Sequence, residues 1–352
     1  EPESPPCLWI STRNYETVMK KAFGKGLYEA IIKPYTEKTW GMKASELSAE
    51  VAKARVSAGG VGALVKRLFL PEKKGKETSL KEFLYTRGGI NTLSGALFDQ
   101  LSRKGVRFLF DSEVTGFKAD NDGTCTIRIN ENGERSTISG DFCFSTIPLD
   151  ELARFIMSES KHSKALTSAQ NLDFLSMILV FVRIRKPLIS GDTWLYFPGK
   201  NLIFNRGYES KSFDPSLGPS GESMICLEIT CRKGDSLWKA NDEETASRVC
   251  EDLVKTGLVS REEIIQFYTT RITHAYPVYS RGYRERLQKI WAALKEYPGL
   301  ITLGRQGLYH HNNMDHSIYE GLLAAEYYVQ KEKPCIRWYE DAGQFRNLRI
   351  VD

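Results

Sequence analysis

Long apolar runs, blocks of single-sign charge and regularly spaced cysteines are all missing from this 352-residue sequence. No stretch approaches the roughly 18 apolar residues that a membrane span requires. The 49 basic and 44 acidic residues leave a net charge of +5, and no Lys/Arg block stands out. That excludes a nucleic-acid stripe and leaves a mild preference for anionic ligands. The seven cysteines (Cys7, Cys125, Cys143, Cys226, Cys231, Cys250, Cys335) form no CxxC pair. Their odd number and scatter fit free thiols in a reducing compartment, which points to the cytoplasm. The start, "EPESPPCLWIS", carries neither an initiator methionine nor a signal h-region, and reads as a fragment whose natural start lies upstream. A P-loop, a Ser/His/Asp or Cys/His triad and a paired-carboxylate motif are absent too, so any chemistry is expected to come from a cofactor.

What is present is ordinary globular material, 41% hydrophobic and 26% charged, in a length that suits two domains. Residues 14–35 carry apolar positions at helical spacing, interrupted at Gly24 and Gly26 and broken at Pro34. "SELSAEVAKARVSAGG" reads as a second helix, capped by Ser45 and stopped by Gly59 and Gly60. "EKKGKET" (72–78) is a solvated loop. "TRGGINTLSGALFDQLSRKG" is a turn and an amphipathic helix, and "CTIRINENGERSTIS" is a hairpin turning at Asn132-Gly133. "DFCFSTIPLDEL" is a strand leading into a helix capped by Pro148 and Asp150. "FLSMILVFVRI" and "SMICLEIT" are apolar strands, and "NDEETASRVCEDLVKTG" is a helix whose acidic first turn suits its dipole. Mixed α and β, with hairpins interrupting the α/β order, predicts two domains that exchange the chain several times.

Three features compete for a site. "GGVGALV" (59–65) approaches a dinucleotide glycine motif, but Val65 ends it and a helix precedes it, so it reads as a helix stop. "LITL" followed by Gly304-Arg305-Gln306-Gly307 is a strand, glycines with a cation, and then a helix from His316 that Asp315 or Ser317 can cap. Such an arrangement holds an anion, or it is an ordinary strand–loop–helix connection. His310, His311 and His316 crowd the same loop with Asp315. His311 and His316 lie five apart across a helix start and no second ligand set repeats, so no metal is assigned and His311 reads as the wall of a polar pocket. Aromatic and arginine clusters recur at Tyr35 and Trp40, Trp194 and Tyr196, Arg206 and Tyr208, and Tyr276, Tyr279 and Tyr283. They suit a ligand with a flat base and a phosphate, and equally suit packing.

"KPYTEKTWGMKASELSAEVAKARV", "RGGINTLSGAL", "FCFSTIPLDEL", "WLYFP", "HAYPVY" and "GRQGLYHHNNMDHSIYEGLLAAE" together resemble the UDP-galactopyranose mutase branch of the FAD-dependent amine oxidase and protoporphyrinogen oxidase superfamily. The resemblance runs from about Asn14 to Val329. It implies an α/β (mixed α+β) fold: an incomplete Rossmann-type FAD-binding domain interleaved with an antiparallel-sheet substrate domain and a helical segment. It implies FAD, with Gly304, Arg305 and Gly307 along the cofactor chain, Asn313, Met314 and Asp315 at the flavin edge, Ser317 beside them and the Val114 backbone at the adenine. It further implies that reduced flavin acts on the anomeric carbon of a nucleotide sugar without net redox. The gripping residues would be Arg55, Arg206, Tyr276, Tyr196 and His311, with Tyr35 and Trp40 near the sugar.

Two departures accompany the resemblance. The glycine-rich βαβ unit that the family places first is not in the sequence, so a truncation or a partner is expected. His311 replaces a diphosphate-binding tyrosine, and His310 an arginine-like position. The expected boundaries are 1–78 (helical part of the substrate domain), 79–158 (FAD-domain segment), 159–292 (antiparallel-sheet domain), 293–332 (C-terminal FAD segment) and 333–352 (tail). The expected partner is a UDP-sugar or related small molecule, with no nucleic acid and no membrane span, and a homo-oligomer is left open. An amine-oxidase-like oxidoreductase and a non-catalytic remnant are the alternatives.

Overall fold

The structure is a computed structural model that describes residues 14–55, 83–119, 123–157, 159–330 and 333–347. The glycine run 59–65, the stop at Gly59–Gly60, the 72–78 loop and the Arg55 side chain lie outside the described residues. Among the described residues the strands are β1 (Ser112–Ala119), β2 (Cys125–Glu131), β3 (Glu134–Gly140), β4 (Cys143–Ser145), β5 (Phe174–Ile184), β6 (Trp194–Tyr196), β7 (Arg206–Glu209), β8 (Ser223–Cys231), β9 (Ile264–Pro277) and β10 (Leu300–Thr302). Helices alternate with them, so the expected mixed α/β class holds. No helix among the described residues is long and apolar enough to cross a membrane.

The described residues form two compact units, one of residues 14–55, 83–108 and 175–275 and the other of 109–119, 123–157, 159–174, 276–330 and 333–347. These limits differ from the expected ones at three places. The helix Asn91–Arg103 joins the first unit, while 159–174 and 276–292 join the second. The reason for the last two is packing: the helix Glu159–Gln170 lies against the helix Tyr283–Leu294. The expected tail is core as well. Trp338 and Tyr339 of the helix Pro334–Asp341 are 1% and 3% exposed. The Trp338 indole donates to the Thr302 carbonyl at 2.9 Å, and the Tyr339 hydroxyl accepts from the Thr302 N–H at 3.0 Å.

The first unit is built on a five-stranded sheet in the order β6-β7-β8-β5-β9. Alternation along β5 (Ile178, Val180, Val182, Ile184) and β8 (Ile225, Leu227, Ile229) puts one buried row on each strand. The helix Asp242–Lys255 covers this face with Ala246, Val249, Cys250 and Leu253, a helical i, i+3, i+4, i+7 stripe. Its cap is Asn241, whose side chain accepts from the Glu244 N–H at 2.7 Å. Each large aliphatic side chain buried this way contributes about 1.5 to 3 kcal/mol.

Local details at the N-terminal end depart from the sequence reading. Gly24 does interrupt its helix, with φ of 77°. Pro34 does not break one: a π-turn over Tyr28–Ile32 runs into the helix Lys33–Trp40, with Pro34 in its first turn. The first turn of an α-helical segment is where proline is tolerated. Ser45 lies in a short 3-10 turn, and Ser48 takes the capping place instead, accepting from the Glu50 N–H at 3.3 Å before the helix Ala49–Arg55.

The second unit holds the meander β1-β2-β3 and the parallel pair β4–β10. The hairpin turns at Asn132 and Gly133, both at positive φ (52° and 94°), as Asn-Gly requires. β10 runs beside β4 with Thr302 opposite Ser145, so the 304–313 loop starts where the parallel pair ends.

One buried carboxylate ties the edge of the first unit together. Glu209, fully buried at the end of β7, accepts from the N–H groups of Ile189 (2.6 Å), Ser190 (3.0 Å) and Gly191 (3.2 Å) and from the Ser223 hydroxyl (2.7 Å). Burial pushes its pKa up, but the Ser190 and Ile189 N–H groups and the Ser223 hydroxyl outweigh it and leave the carboxyl below its ordinary value. A depressed folded-state pKa means the unfolded chain takes up the proton first. The stabilisation is therefore complete above the unfolded carboxyl pKa and lost as pH falls through the folded one. Glu209→Gln is expected to cost about 1 to 3 kcal/mol at pH 7. Urea unfolding of both proteins from pH 7 down through the carboxylate range checks this: the gap must narrow with acid, and a constant gap contradicts it.

Candidate functional site

β10 delivers the chain to Gly304, which takes φ of 80° with open space beside its Cα. Gly304–Gly307 forms one helical turn where the sequence suggests an open loop. Gly307 lies close against β4, where an added Cβ would sit 3.0 Å from the Ser145 carbonyl oxygen, tighter than an ordinary contact. The second helix begins at Met314, two residues before its expected start at His316. Neither Asp315 nor Ser317 precedes it as a cap. Both lie inside the helix, and it is His316 Nδ1 that accepts from the Asn313 N–H at 3.3 Å.

Arg305 points into its own loop. Its Nε donates to Asn312 Oδ1 at 3.3 Å and its Nη2 to the Asn312 carbonyl at 2.6 Å. The guanidinium carbon stands 4.6 Å from the centroid of the Tyr276 ring, a cation–π contact. On the same ring, His311 stacks at 5.9 Å and 20°. The His311 N–H donates to the Tyr279 hydroxyl at 2.8 Å, and Tyr279 in turn stacks on Tyr283 at 4.3 Å. Tyr309, at φ of 54°, is buried with its hydroxyl 2.7 Å from the Asp173 carbonyl and 2.8 Å from that of Val278. Burial pushes that hydroxyl's pKa up.

Beneath this layer lies Glu320, with 0% exposure. One carboxylate oxygen accepts the Gly304 N–H at 2.8 Å. The other accepts from Asn312 Nδ2 at 3.3 Å and lies 2.7 Å from His310 Nε2. Asn312 Nδ2 also donates to the Ser317 hydroxyl at 2.9 Å. A single helix residue thus holds both ends of the loop. At the helix start Met314 stays 49% exposed and the Asp315 side chain 77% exposed, beside first-turn N–H groups that have no intrahelical acceptors.

In the first unit the expected residues part company. Tyr35, in the helix Lys33–Trp40, meets Tyr196 of β6 edge-on at 5.9 Å, with Tyr196 51% exposed. Trp194, Phe83 and Phe213 continue an aromatic surface, with Trp194 edge-on to Phe213 at 5.1 Å. Trp40 is a core residue, 4% exposed. Arg206 faces Glu228 directly across β7 and β8 and forks onto both its oxygens at 2.9 and 2.8 Å. Lys38 donates to the carbonyls of Phe197, Gly199 and Phe204 at 2.7–2.8 Å, and burial pushes its pKa down to about 8.

The second unit therefore gathers Tyr276, Gly304, Arg305, Gly307, His311, Asn313, Met314, Asp315 and Ser317 around one loop. The first unit pairs Tyr35 with Tyr196 and commits Arg206 to Glu228. Val114 lies on the separate meander, just before a bulge in β1. Glu320, Asn312 and Glu228 escaped the sequence reading. The signal for two of them was present: a lone acid in "IYEGLLAA" and another in "SMICLEIT" each demand a buried partner.

Glu320→Gln tests the anchor. The amide keeps the shape but offers one acceptor oxygen, so a donor must face either Gly304 or the His310–Asn312 side. A loss of about 1 to 3 kcal/mol in chemical denaturation is expected, with faster amide exchange at Gly304. Unchanged exchange there would remove Glu320 from this role.

The family model described as flavin containing amine oxidoreductase matches residues 19–327. No curated protein sequence matches the chain. Among solved structures, reduced UDP-galactopyranose mutase superposes with a TM-score of 0.75 at 20% identity, over 100% of this chain and 73% of that one. A protein provisionally described as a protoporphyrinogen oxidase, from Exiguobacterium sp. 255-15, gives 0.61 at 17% identity, over 87% and 65%. Wild-type putrescine oxidase bound to putrescine gives 0.60 at 14%, over 93% and 70%. Identities this low carry the fold alone. The family match spans most of the sequence, and the chain belongs to the flavin-containing amine oxidoreductase family, whose cofactor is FAD.

Proposed function

We propose that this flavoprotein acts on a nucleotide sugar in the manner of UDP-galactopyranose mutase, interconverting the pyranose and furanose forms. The observation that carries the reading is the clamped Arg305–Tyr276–His311 stack in the 304–317 loop, the segment whose sequence most resembles the mutase branch. A cation held flat on an aromatic ring beside a stacked imidazole suits a phosphorylated ligand with a flat base.

The residues fit FAD. Thr302 Oγ1 is fully buried at the end of β10 without a hydrogen-bond partner among the described residues, next to the open left-handed Gly304. Gly304, Arg305 and Gly307 would run along the cofactor chain. Asn313, Met314 and Asp315, with Ser317, would meet the flavin edge at the helix start, where N–H groups favour an acceptor. The Val114 backbone would serve the adenine. Bound there in its reduced form, FAD would supply a nucleophile for the anomeric carbon without net redox.

The chain's own residues bind and orient. Tyr276 and His311 would donate to the diphosphate. In the first unit, taken by itself, Tyr196 presents an exposed ring beside the half-buried Tyr35, the two positions that the resemblance assigns to substrate contact. Arg55 would add positive charge. Arg206, forked onto Glu228, enters as a fixed cation whose charge is largely answered. Trp40 would shape the pocket wall from the core rather than touch the sugar.

That answered charge is also what favours the second reading, an amine-oxidase-like oxidoreductase, in which no diphosphate needs gripping. The two differ in redox demand. Full-length protein loaded with FAD and reduced with dithionite is expected to convert UDP-galactofuranose to UDP-galactopyranose, with no turnover when oxidised. Absence of both conversion and UDP binding overturns the mutase reading, and anaerobic bleaching of the flavin by a small amine establishes the other.

A further inference from the structure

The three-stranded meander has a face that no part of the proposed function uses. Register puts Asn130 and Arg135 in one cross-strand row, and Gly116, Arg128 and Thr137 in the next. Thr126 and Ser139 follow, their hydroxyls 3.2 Å apart, which fixes that these rows share a side of the sheet. Arg128 and Arg135 are diagonal neighbours, about 7 Å apart at the backbone. Both are exposed, and among the described residues neither guanidinium has an ion-pair or hydrogen-bond partner. The acid nearest in register is Glu113, opposite Asn130. Glu131 and Glu134 alternate to the other side.

The placement of Arg128 is built rather than incidental. Its guanidinium lies over Gly116, where an added Cβ would come within 2.4 Å of Nε and Nη2. Gly116 closes the bulge in β1, and the extra residue, Thr115, puts its hydroxyl 3.4 Å from the Arg128 carbonyl. Thr115, Arg128, Asn130, Arg135 and Thr137 line a hollow of about 520 Å³ that also takes in Ile129 and Ser136. Two like charges on one sheet face, with hydroxyls around them, neither of them ion-paired and Glu113 set beyond Asn130, leave a place for an anion with oxygens at two centres.

We propose that this hollow binds a diphosphate group, free or esterified, through the Arg128 and Arg135 forks, as a site separate from that of the flavin. The inference does not depend on the mutase reading. Calorimetric titration of the FAD-loaded protein with inorganic pyrophosphate at low ionic strength tests it. Saturable binding with a dissociation constant below about 1 mM is expected, without release of FAD, and about tenfold or more weaker in Arg128→Gln and in Arg135→Gln. Orthophosphate, which can reach one centre only, should bind more weakly than pyrophosphate. Gly116→Ala is the deciding variant: it removes no charge but pushes the Arg128 guanidinium off the strand, so a built site weakens about tenfold while a diffuse positive surface does not respond. Affinity unchanged in Gly116→Ala, equal binding of the two anions, or displacement of FAD by pyrophosphate each overturns the proposal. Thermal melts of the variants establish that each is folded at the titration temperature.

Discussion

A carboxylate removed from water must have its lone pairs answered, and at Glu320 that requirement organises the candidate site. The side chain sits inside the helix Met314–Gln330 with no exposure, so its oxygens can only be satisfied by the loop above it. Gly304, at the loop's beginning, and Asn312, near its end, both meet that need. Arg305 then closes the loop from the other direction by donating twice to Asn312. With both ends tied, Tyr276, His311 and the exposed helix start are held in one arrangement before any ligand arrives. Preorganisation of this sort is what a cofactor-dependent enzyme asks of its protein part.

The same device recurs in the first unit. Glu209 gathers three consecutive N–H groups of the 189–191 segment, and Glu228 takes the whole fork of Arg206. Glu209 thereby fixes a loop and Glu228 a cross-strand pair on the sheet, whose apolar rows on β5 and β8 supply the stability against which they are held. The consequence for recognition is a division of labour. Arg206 and Lys38, with their hydrogen bonds made inside the unit, shape the frame, while Tyr196 and Trp194 keep exposed rings at its surface.

The elements whose cause is local were legible in the sequence. Asn132-Gly133 had to turn because only such residues readily accept two successive positive φ values, and an acidic first turn marked the helix Asp242–Lys255. Apolar runs along β5 and β8 announced buried strands. Elements whose cause is tertiary were not. Pro34 looked like a break until the preceding π-turn gave it a first-turn place, and Ser45 lost the capping position to Ser48. The segment 333–347 read as a tail, yet Trp338 and Tyr339 complete the hydrogen bonding of Thr302 on the strand that opens the site.

By itself the sequence determined the mixed α/β class, the β2–β3 hairpin and the apolar strands β5 and β8, and a glycine–arginine–aromatic segment suited to an anionic cofactor. These follow from periodicity and from backbone rules that act over a few residues. Tertiary structure alone decided what each polar group faces: that Arg305 answers Asn312, that Arg206 answers Glu228, that Trp40 is core, and that Glu320 underlies the loop. Hydrogen-bond partners far apart in the chain are chosen by packing, and the free energy of satisfying a buried charge has no signature along the chain beyond the odd acid in an apolar run.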